Sequence, residues 1–320
     1  MLPPLLLALW FDEGSKAAFT TAMLGVLLVG SLFWYPVRNQ RKELRIRDGF
    51  VVVTLFWVVL ALVGAIPFAL AEQPHMGFTD AMFESTSGLT TTGATVITGI
   101  DRLPLSIQFY RQELQWLGGM GIIVLAVAVL PMLGIGGMQL YRAETPGPMK
   151  DNKLTPRITE TAKALWYIYL GLTISCALAY WVTGMGLFDA IAHAFSTVAI
   201  GGFSTHDLSI GYYQSPAIEI VAVIFMLLAG INFSLHFLAW RSMNPLVYLR
   251  DSELKAYLTL LVLAAAVTVL YLYFSKTFED FADALHHGIF QAVSIGTTTG
   301  FTTAAYFYWP GFLPVMLLFT

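Results

Sequence analysis

Long apolar runs alternate along this chain with short segments that are either basic or rich in threonine and glycine. A membrane-spanning helix needs about 20 mostly apolar residues. Runs of that size fall at residues 17–36, 50–71, 114–133, 165–184, 217–240 and 256–274. They predict six spanning helices, and a seventh begins near Pro310 and is cut off at Thr320. The opening stretch 1–11 is apolar but too short to span. It has neither the basic start nor the small-residue cleavage site of a signal peptide, and reads as the remnant of a first helix.

Three polar segments interrupt the apolar pattern and align without a gap. They run Glu84-Ser-Thr-Ser87-Gly-Leu-Thr90-Thr91-Thr92-Gly93, His193-Ala-Phe-Ser196-Thr-Val-Ala199-Ile200-Gly201-Gly202 and Gln291-Ala-Val-Ser294-Ile-Gly-Thr297-Thr298-Thr299-Gly300. In each, a serine stands six residues before the closing glycine. Irregular polar backbone is tolerated at bilayer depth only where it is buried in protein or lines a cavity. Each segment follows a short amphipathic run, such as residues 79–84 or 188–193, that predicts two or three turns of helix entering from the outer face. The C-terminal end of such a helix carries roughly half a negative charge. Glycine then reverses the chain with φ > 0 at little steric cost. Beyond the turn, backbone carbonyls can replace the hydration shell of a dehydrated monovalent cation. The residues singled out for that role are Thr91, Thr92, Gly93, Ile200, Gly201, Gly202, Thr298, Thr299 and Gly300. No carboxylate stands inside the triplets, which disfavours a divalent site. Asp80, Glu84, Asp189, Glu279, Asp280 and Asp283 are expected at the outer mouths, where they would concentrate cations.

Composition agrees with the pattern. The chain is 57% hydrophobic and 12% charged, with a mean hydropathy of +0.70, whereas soluble domains are about 25% charged. This is an all-α polytopic membrane protein. A net charge of −3 argues against a nucleic-acid partner, and the lone Cys176 excludes an intrachain disulfide. Charge also sets orientation. Arg38, Arg41, Lys42, Arg45 and Arg47, then Arg142, Lys150, Lys153, Arg157 and Lys163, then Arg241, Arg250 and Lys255 all fall on one side, cytoplasmic by the positive-inside rule. Lys16, Arg102, Arg111 and Lys276 fall on the other. The parity holds only if each polar segment enters and leaves from outside, as a re-entrant hairpin between two spans. The organisation is then an N-terminal section 1–49, a pore repeat 50–140, a cytoplasmic linker 141–164, a second repeat 165–241, a linker 242–255 and a third, incomplete repeat 256–320.

With the motifs laid out, a resemblance follows. Thr-Thr-Thr-Gly-Ala-Thr at 90–95, Ala-Ile-Gly-Gly-Phe-Ser-Thr-His-Asp at 199–207 and Gly-Thr-Thr-Thr-Gly-Phe-Thr-Thr at 296–303 resemble the first three filter loops of the Trk/Ktr/HKT potassium transporters. Residues 112–121 and 139–150 resemble the bacterial TrkH branch. The resemblance implies a non-enzymatic, multi-pass inner-membrane protein with four covalently linked channel-like units, acting in potassium uptake either as a gated leak or as an ion-coupled symport. It further implies a homodimer with a cytoplasmic nucleotide-binding regulatory ring (TrkA type). Sodium-selective relatives replace the first filter glycine by serine, so Gly93 favours potassium. Against that plan the chain reads as truncated, since the third unit's inner helix and the whole fourth unit are missing.

Other readings compete. Ser204 with His206 or His236 would suit an intramembrane serine protease, because a nucleophile needs a base within hydrogen-bond reach. A secondary transporter with broken helices usually shows inverted repeats, whereas these units run in one direction. His286 and His287 are neighbours on a helix and point about 100° apart, so they read as a polar helix face. Trp34, Trp57, Trp116, Trp166 and Trp181 suit interfacial anchoring. Gly118-Gly119-Met120-Gly121 is assigned to close helix packing, and residues 134–137 to a flexible cytoplasmic helix end.

Overall fold

The computed structural model describes residues 1–39, 46–121 and 158–320. Arg41, Lys42, Arg45, Arg142, Lys150, Lys153, Arg157, the glycines at 134–137, the second half of the span expected at 114–133 and most of the linker 141–164 lie outside the described residues. The described residues are helical, with no strand among them.

Helices α1 (Leu2–Trp10), α2 (Lys16–Val37) and α3 (Ile46–Leu70) lead into a first hairpin helix, α4 (Phe78–Leu89), and its successor α5 (Leu105–Gly119). The order then repeats as α6 (Ile158–Val182), α7 (Leu187–Val198) and α8 (Pro216–Ala229). After α9 (Phe233–Ser242) and the short α10 (Leu246–Arg250), α11 (Ser252–Phe274) and α12 (Phe281–Gly296) begin it a third time, followed by α13 (Leu313–Leu318). Among the described residues four helices are long and apolar enough to cross a bilayer, or five if α8 and α9 count as one bent span. Large apolar side chains on α2 and α11, including Leu27, Leu28, Leu32, Leu260, Val262 and Leu263, are exposed. An aqueous surface rarely tolerates so broad an apolar face; in lipid it is the ordinary outer wall.

Two sequence expectations change. The run 217–240 is not one straight span. It breaks between α8 and α9, whose axes differ by 88°. Gly230 ends α8 and Asn232 starts α9, its side-chain oxygen accepting from the Ser234 amide at 3.0 Å. Asparagine is a strong helix N-cap, so a hydropathy window reads through a boundary that the local chemistry draws. The helix expected from Leu114 already starts at Leu105, because its early turns carry Ser106, Gln108, Arg111 and Gln112, which are buried in protein rather than facing lipid.

Packing follows a repeated scheme. Each hairpin helix lies on the span before it: α4 on α3, α7 on α6, α12 on α11. The helix after one hairpin also supports the next, α5 contacting α7 and α8 contacting α12. One apolar core joins α1 to α5 around Phe19, Phe68 and Tyr110. A second joins α6, α7 and α8 to the third hairpin through Tyr169, Tyr180, Phe290 and Phe301. The expected close packing at Gly118 and Gly119 is present. A Cβ at Gly118 would come within 2.0 Å of Leu89 O, and one at Gly119 within 3.1 Å of Ala199 Cα.

Candidate functional site

The three hairpins adopt one backbone signature. Each helix ends at a residue near the right-handed region (Thr90, Ala199, Thr297). The next residue has positive φ: 54° at Thr91, 49° at Ile200 and 63° at Thr298. Thr92, Gly201 and Thr299 do not, and the closing glycines return to positive φ at 77°, 73° and 85° for Gly93, Gly202 and Gly300. Glycine accepts this conformation, as the sequence suggested. The left-handed Thr, Ile and Thr were not foreseen. A β-branched residue at positive φ is a true outlier, costing on the order of 1–3 kcal/mol and persisting only where the surroundings over-determine it. Here it occurs three times at equivalent positions.

The surroundings that hold it are visible. The serine six residues before the glycine reaches across the turn: Ser87 Oγ donates to Ala94 O at 2.6 Å and Ser294 Oγ to Phe301 O at 2.7 Å. Thr90 and Thr92 pair through their hydroxyls at 2.8 Å, as do Thr297 and Thr299. The second hairpin has no hydroxyl at either position, and α5 supplies the substitute. Gln115 Nε2 donates to Gly201 O at 2.6 Å, while its Oε1 accepts from the Phe203 amide at 3.0 Å.

Neighbouring hairpins meet backbone to backbone. A Cβ on Gly93 would stand 2.0 Å from Gly201 O, and one on Gly202 would stand 1.9 Å from Thr299 O. The glycine of each hairpin therefore rests on the carbonyl that precedes the glycine of the next. The same step, taken twice in the same sense, brings the three loops side by side. The Gly201 carbonyl is directed at Gly93 and Gln115, so it separates hairpins.

Behind the loops sits a charged lock. Arg111 on α5 is fully buried, and so is Glu84 on α4. Arg111 Nε meets Glu84 Oε1 at 2.8 Å, Nη1 donates to Ser204 O at 3.1 Å, Nη2 to Thr95 Oγ1 at 3.2 Å, and the guanidinium lies 4.3 Å from the Phe203 ring centre. Glu84 also accepts from Thr95 Oγ1 and the Val96 amide. One planar cation thus ties the first hairpin to the second, a geometry that a fork of donors can meet and a single ammonium cannot. This corrects two expectations. Glu84 is not a solvent-facing acid of a mouth and Arg111 is not a solvent-facing base, because the two are buried against each other inside the protein. Asp80, Glu279, Asp280 and Asp283 are exposed.

Glu84 and Thr95 align with His193 and Ser204, and the second pair repeats the brace. His193 Nε2 lies 2.9 Å from Ser204 Oγ, and its Nδ1 lies 2.9 Å from Asp189 O. A carbonyl only accepts, so Nδ1 carries the proton and the serine donates to Nε2. Ser204 Oγ also accepts from the His206 amide. Ser204 and His193 are both buried, out of reach of a peptide substrate, and His206, the base considered, turns its ring to Asp101 and Asp189, which removes the protease reading. His236, the other base considered, lies elsewhere, between Leu228 O and Tyr248.

Above the loops, His206 bridges two repeats. Its Nδ1 lies 2.5 Å from Asp101, its Nε2 lies 3.5 Å from Asp189, and its ring stacks on Tyr212 at 3.5 Å. Burial disfavours its charge, but the two carboxylates prevail and hold its pKa above the ordinary value. Burial likewise opposes ionisation of Asp101, and the hydrogen bonds from His206 and Asp207 keep it below the usual carboxylate range. His286 and His287 part company: His286 meets Glu219 at 2.6 Å, and His287 meets Thr303 at 3.0 Å. Trp116 is no interfacial anchor. It stacks on Phe195 at 4.9 Å and donates to Thr173.

The lock of Arg111 and Gln115 was not recognised in the sequence, although residues 108–115 place Gln108, Arg111, Gln112 and Gln115 at helical spacing. Polar residues at bilayer depth usually face the protein interior and serve function, and that signal was available.

A family model described as TrkH, cation transport protein, matches residues 15–320. The Trk system potassium uptake protein TrkH of Vibrio parahaemolyticus is 56% identical over 322 residues, covering 100% of this chain and 66% of its own length. Its Escherichia coli K12 counterpart is 53% identical, over 99% of this chain and 66% of its own. TrkG of the same strain is 42% identical, with coverages of 99% and 65%. The crystal structure of the potassium transporter TrkH from Vibrio parahaemolyticus superposes with a TM-score of 0.87 at 52% identity, covering 99% of this chain and 65% of that one. The chain therefore spans about two thirds of the length of these relatives.

Proposed function

This chain belongs to the TrkH family of cation transport proteins, and on that premise we propose that its three hairpins form three sides of a potassium-selective uptake path. One observation carries the reading: three loops share an unusual backbone signature and abut glycine to carbonyl. A strained, uncharged backbone held rigid from behind is what a carbonyl-lined filter requires. Thr91, Thr92 and Gly93, Ile200, Gly201 and Gly202, and Thr298, Thr299 and Gly300 form its wall, the Gly201 and Thr299 carbonyls setting the spacing between hairpins and the others facing the ion. Potassium is the cargo, and no carboxylate among these nine residues competes for a divalent ion.

The repeats at 50–140, 165–241 and 256–320 are the units of that path, with the linkers cytoplasmic and the protein in the bacterial inner membrane. The relatives are named as parts of a Trk system, which supports a multi-component assembly. Its finer form is a homodimer docked on a nucleotide-binding regulatory ring. Complementation tests the central claim. A host lacking potassium uptake should grow at limiting potassium when it makes the gene product, and added sodium should inhibit growth when Gly93 is replaced by serine. Equal growth of parent and variant at every sodium level refutes Gly93 as a filter residue.

A further inference from the structure

The break between α8 and α9 has no part in the reading above, and its chemistry is specific. A helix that stops strands its last carbonyls. The chain itself closes some of them, with the Gly230 amide bonding to Met226 O at 3.0 Å and the Ile231 amide to Leu228 O at 3.2 Å. Two side chains from other elements then take positions on the same carbonyl ring. Tyr257 of α11 donates to Leu227 O at 3.3 Å, and His236 Nε2 of α9 lies 2.9 Å from Leu228 O. The bend is also tight. A Cβ on Gly230 would come within 2.3 Å of the Tyr257 hydroxyl.

His236 has a second partner. Its Nδ1 lies 2.8 Å from the hydroxyl of Tyr248 on α10. Because Leu228 O can only accept, Nε2 carries the ring proton and Nδ1 is the acceptor, so Tyr248 donates. The polar chain then runs one way, from the tyrosine hydroxyl through the imidazole to the end of α8. His236 is buried, while α10 buries none of its residues. α10 stands between Arg241 and Lys255, in the stretch that the distribution of basic residues makes cytoplasmic. α8 also packs on both α7 and α12, and Glu219 near its start meets His286 of α12. A surface helix on the cytoplasmic side is thus joined through one imidazole to the helix that carries two hairpins.

We propose that His236 is a positioning residue through which the cytoplasmic helix α10 sets the bend at the end of α8, and with it the rate of ion passage. Whatever displaces α10 from the cytoplasmic face pulls Tyr248 from His236, loosens the donor on Leu228 O and frees the break to change angle. The inference rests on the uptake path proposed above. It differs from that path in predicting an effect on rate and none on ion choice.

The test uses the gene product as its cell makes it, in a host lacking potassium uptake, with rubidium flux measured at matched membrane levels. Tyr248→Phe removes one hydroxyl and leaves the ring. It should change maximal flux by about threefold, near the lower end of known coupling effects, with KM and the preference for potassium over sodium unchanged. His236→Leu should do the same, and His236→Gln, which keeps a donor and an acceptor, should restore much of the loss. The double variant Tyr248→Phe/His236→Leu should match His236→Leu alone, since both break one chain. Additive effects, a shift in selectivity, or normal flux in Tyr248→Phe each overturn the proposal. Gly93→Ser is run beside them. If it alters selectivity while Tyr248→Phe changes nothing, the strut fails and the filter stands; if Gly93→Ser leaves selectivity intact, it is the filter reading that fails. Should His236→Leu not reach the membrane, Tyr248→Phe still decides.

Discussion

Replacing Arg111 should cost more than replacing any other polar residue of the site. Its guanidinium meets Glu84 at 2.8 Å, Ser204 O at 3.1 Å, Thr95 at 3.2 Å and the face of Phe203 at 4.3 Å, with no exposure to solvent. Breaking one side of a buried ion pair costs about 3–5 kcal/mol, because the abandoned charge stays buried. That is a large part of the roughly 5–15 kcal/mol that keeps a protein folded. For larger chains each kcal/mol moves Tm by about 2–4 °C; Arg111→Gln should therefore lower Tm by roughly 6–20 °C, on the scale of a broken buried pair. Glu84→Gln should fall in the same range. Arg111→Lys keeps the charge but not the fork, and should recover only a minor part. The double variant should be less damaged than the sum of the singles by about 2 kcal/mol, the coupling expected of residues in direct contact. Cys176 offers the assay, since it is the one cysteine of this chain and is buried. A thiol-reactive fluorogenic dye will label it as the detergent-solubilised protein unfolds. Additive single effects, or an Arg111→Lys variant as stable as the parent, would refute the lock.

Three further outcomes follow from the same geometry. Gly93→Ser places a Cβ 2.0 Å from Gly201 O at a φ of 77°, so hairpins one and two must separate; potassium-over-sodium preference in competitive rubidium uptake should drop. Gln115→Glu puts a carboxylate oxygen where an amide now donates to Gly201 O at 2.6 Å, and should impair uptake more than Gln115→Met, an order whose reversal would dismiss the brace. The His206 bridge should be pH-dependent from the outside. Its pKa is raised on folding, so the stabilisation is complete below the ordinary imidazole value of about 6.5 and is lost as pH rises through the raised one. Asp101, lowered, withdraws its share only on strong acidification. The protection of the amides at 97–103, corrected for base-catalysed intrinsic exchange, should fall with rising external pH in the parent and be pH-independent after His206→Gln.

Much of this architecture was readable because its signals are local. Apolar runs at 17–36 and 256–274 became α2 and α11 with ends shifted by only a few residues. The glycines at 93, 202 and 300 carry positive φ because nothing else does so cheaply. What stayed hidden was chemistry that depends on a partner far along the chain. Glu84 read as a mouth acid because Arg111, which neutralises it, is 27 residues away. Ser204 invited a catalytic reading because its burial against His193, 11 residues earlier, is not legible in the sequence. The break after Ala229 was masked by apolar residues on both sides, though Gly230 and Asn232 together spell a helix end.

Where one hairpin touches the next, a glycine Cα faces a carbonyl and no side chain intervenes. Contacts made by side chains can drift, a methyl at a time, as sequences diverge. This one cannot, since the smallest possible change at Gly93 or Gly202 is already a collision. Any gradual adjustment of the aperture has to come from the scaffold behind it, in residues such as Gln115, Arg111 and Ser294. Ion preference in a molecule built this way is inherited in two layers: an aperture that changes only in jumps, and a frame that can be tuned.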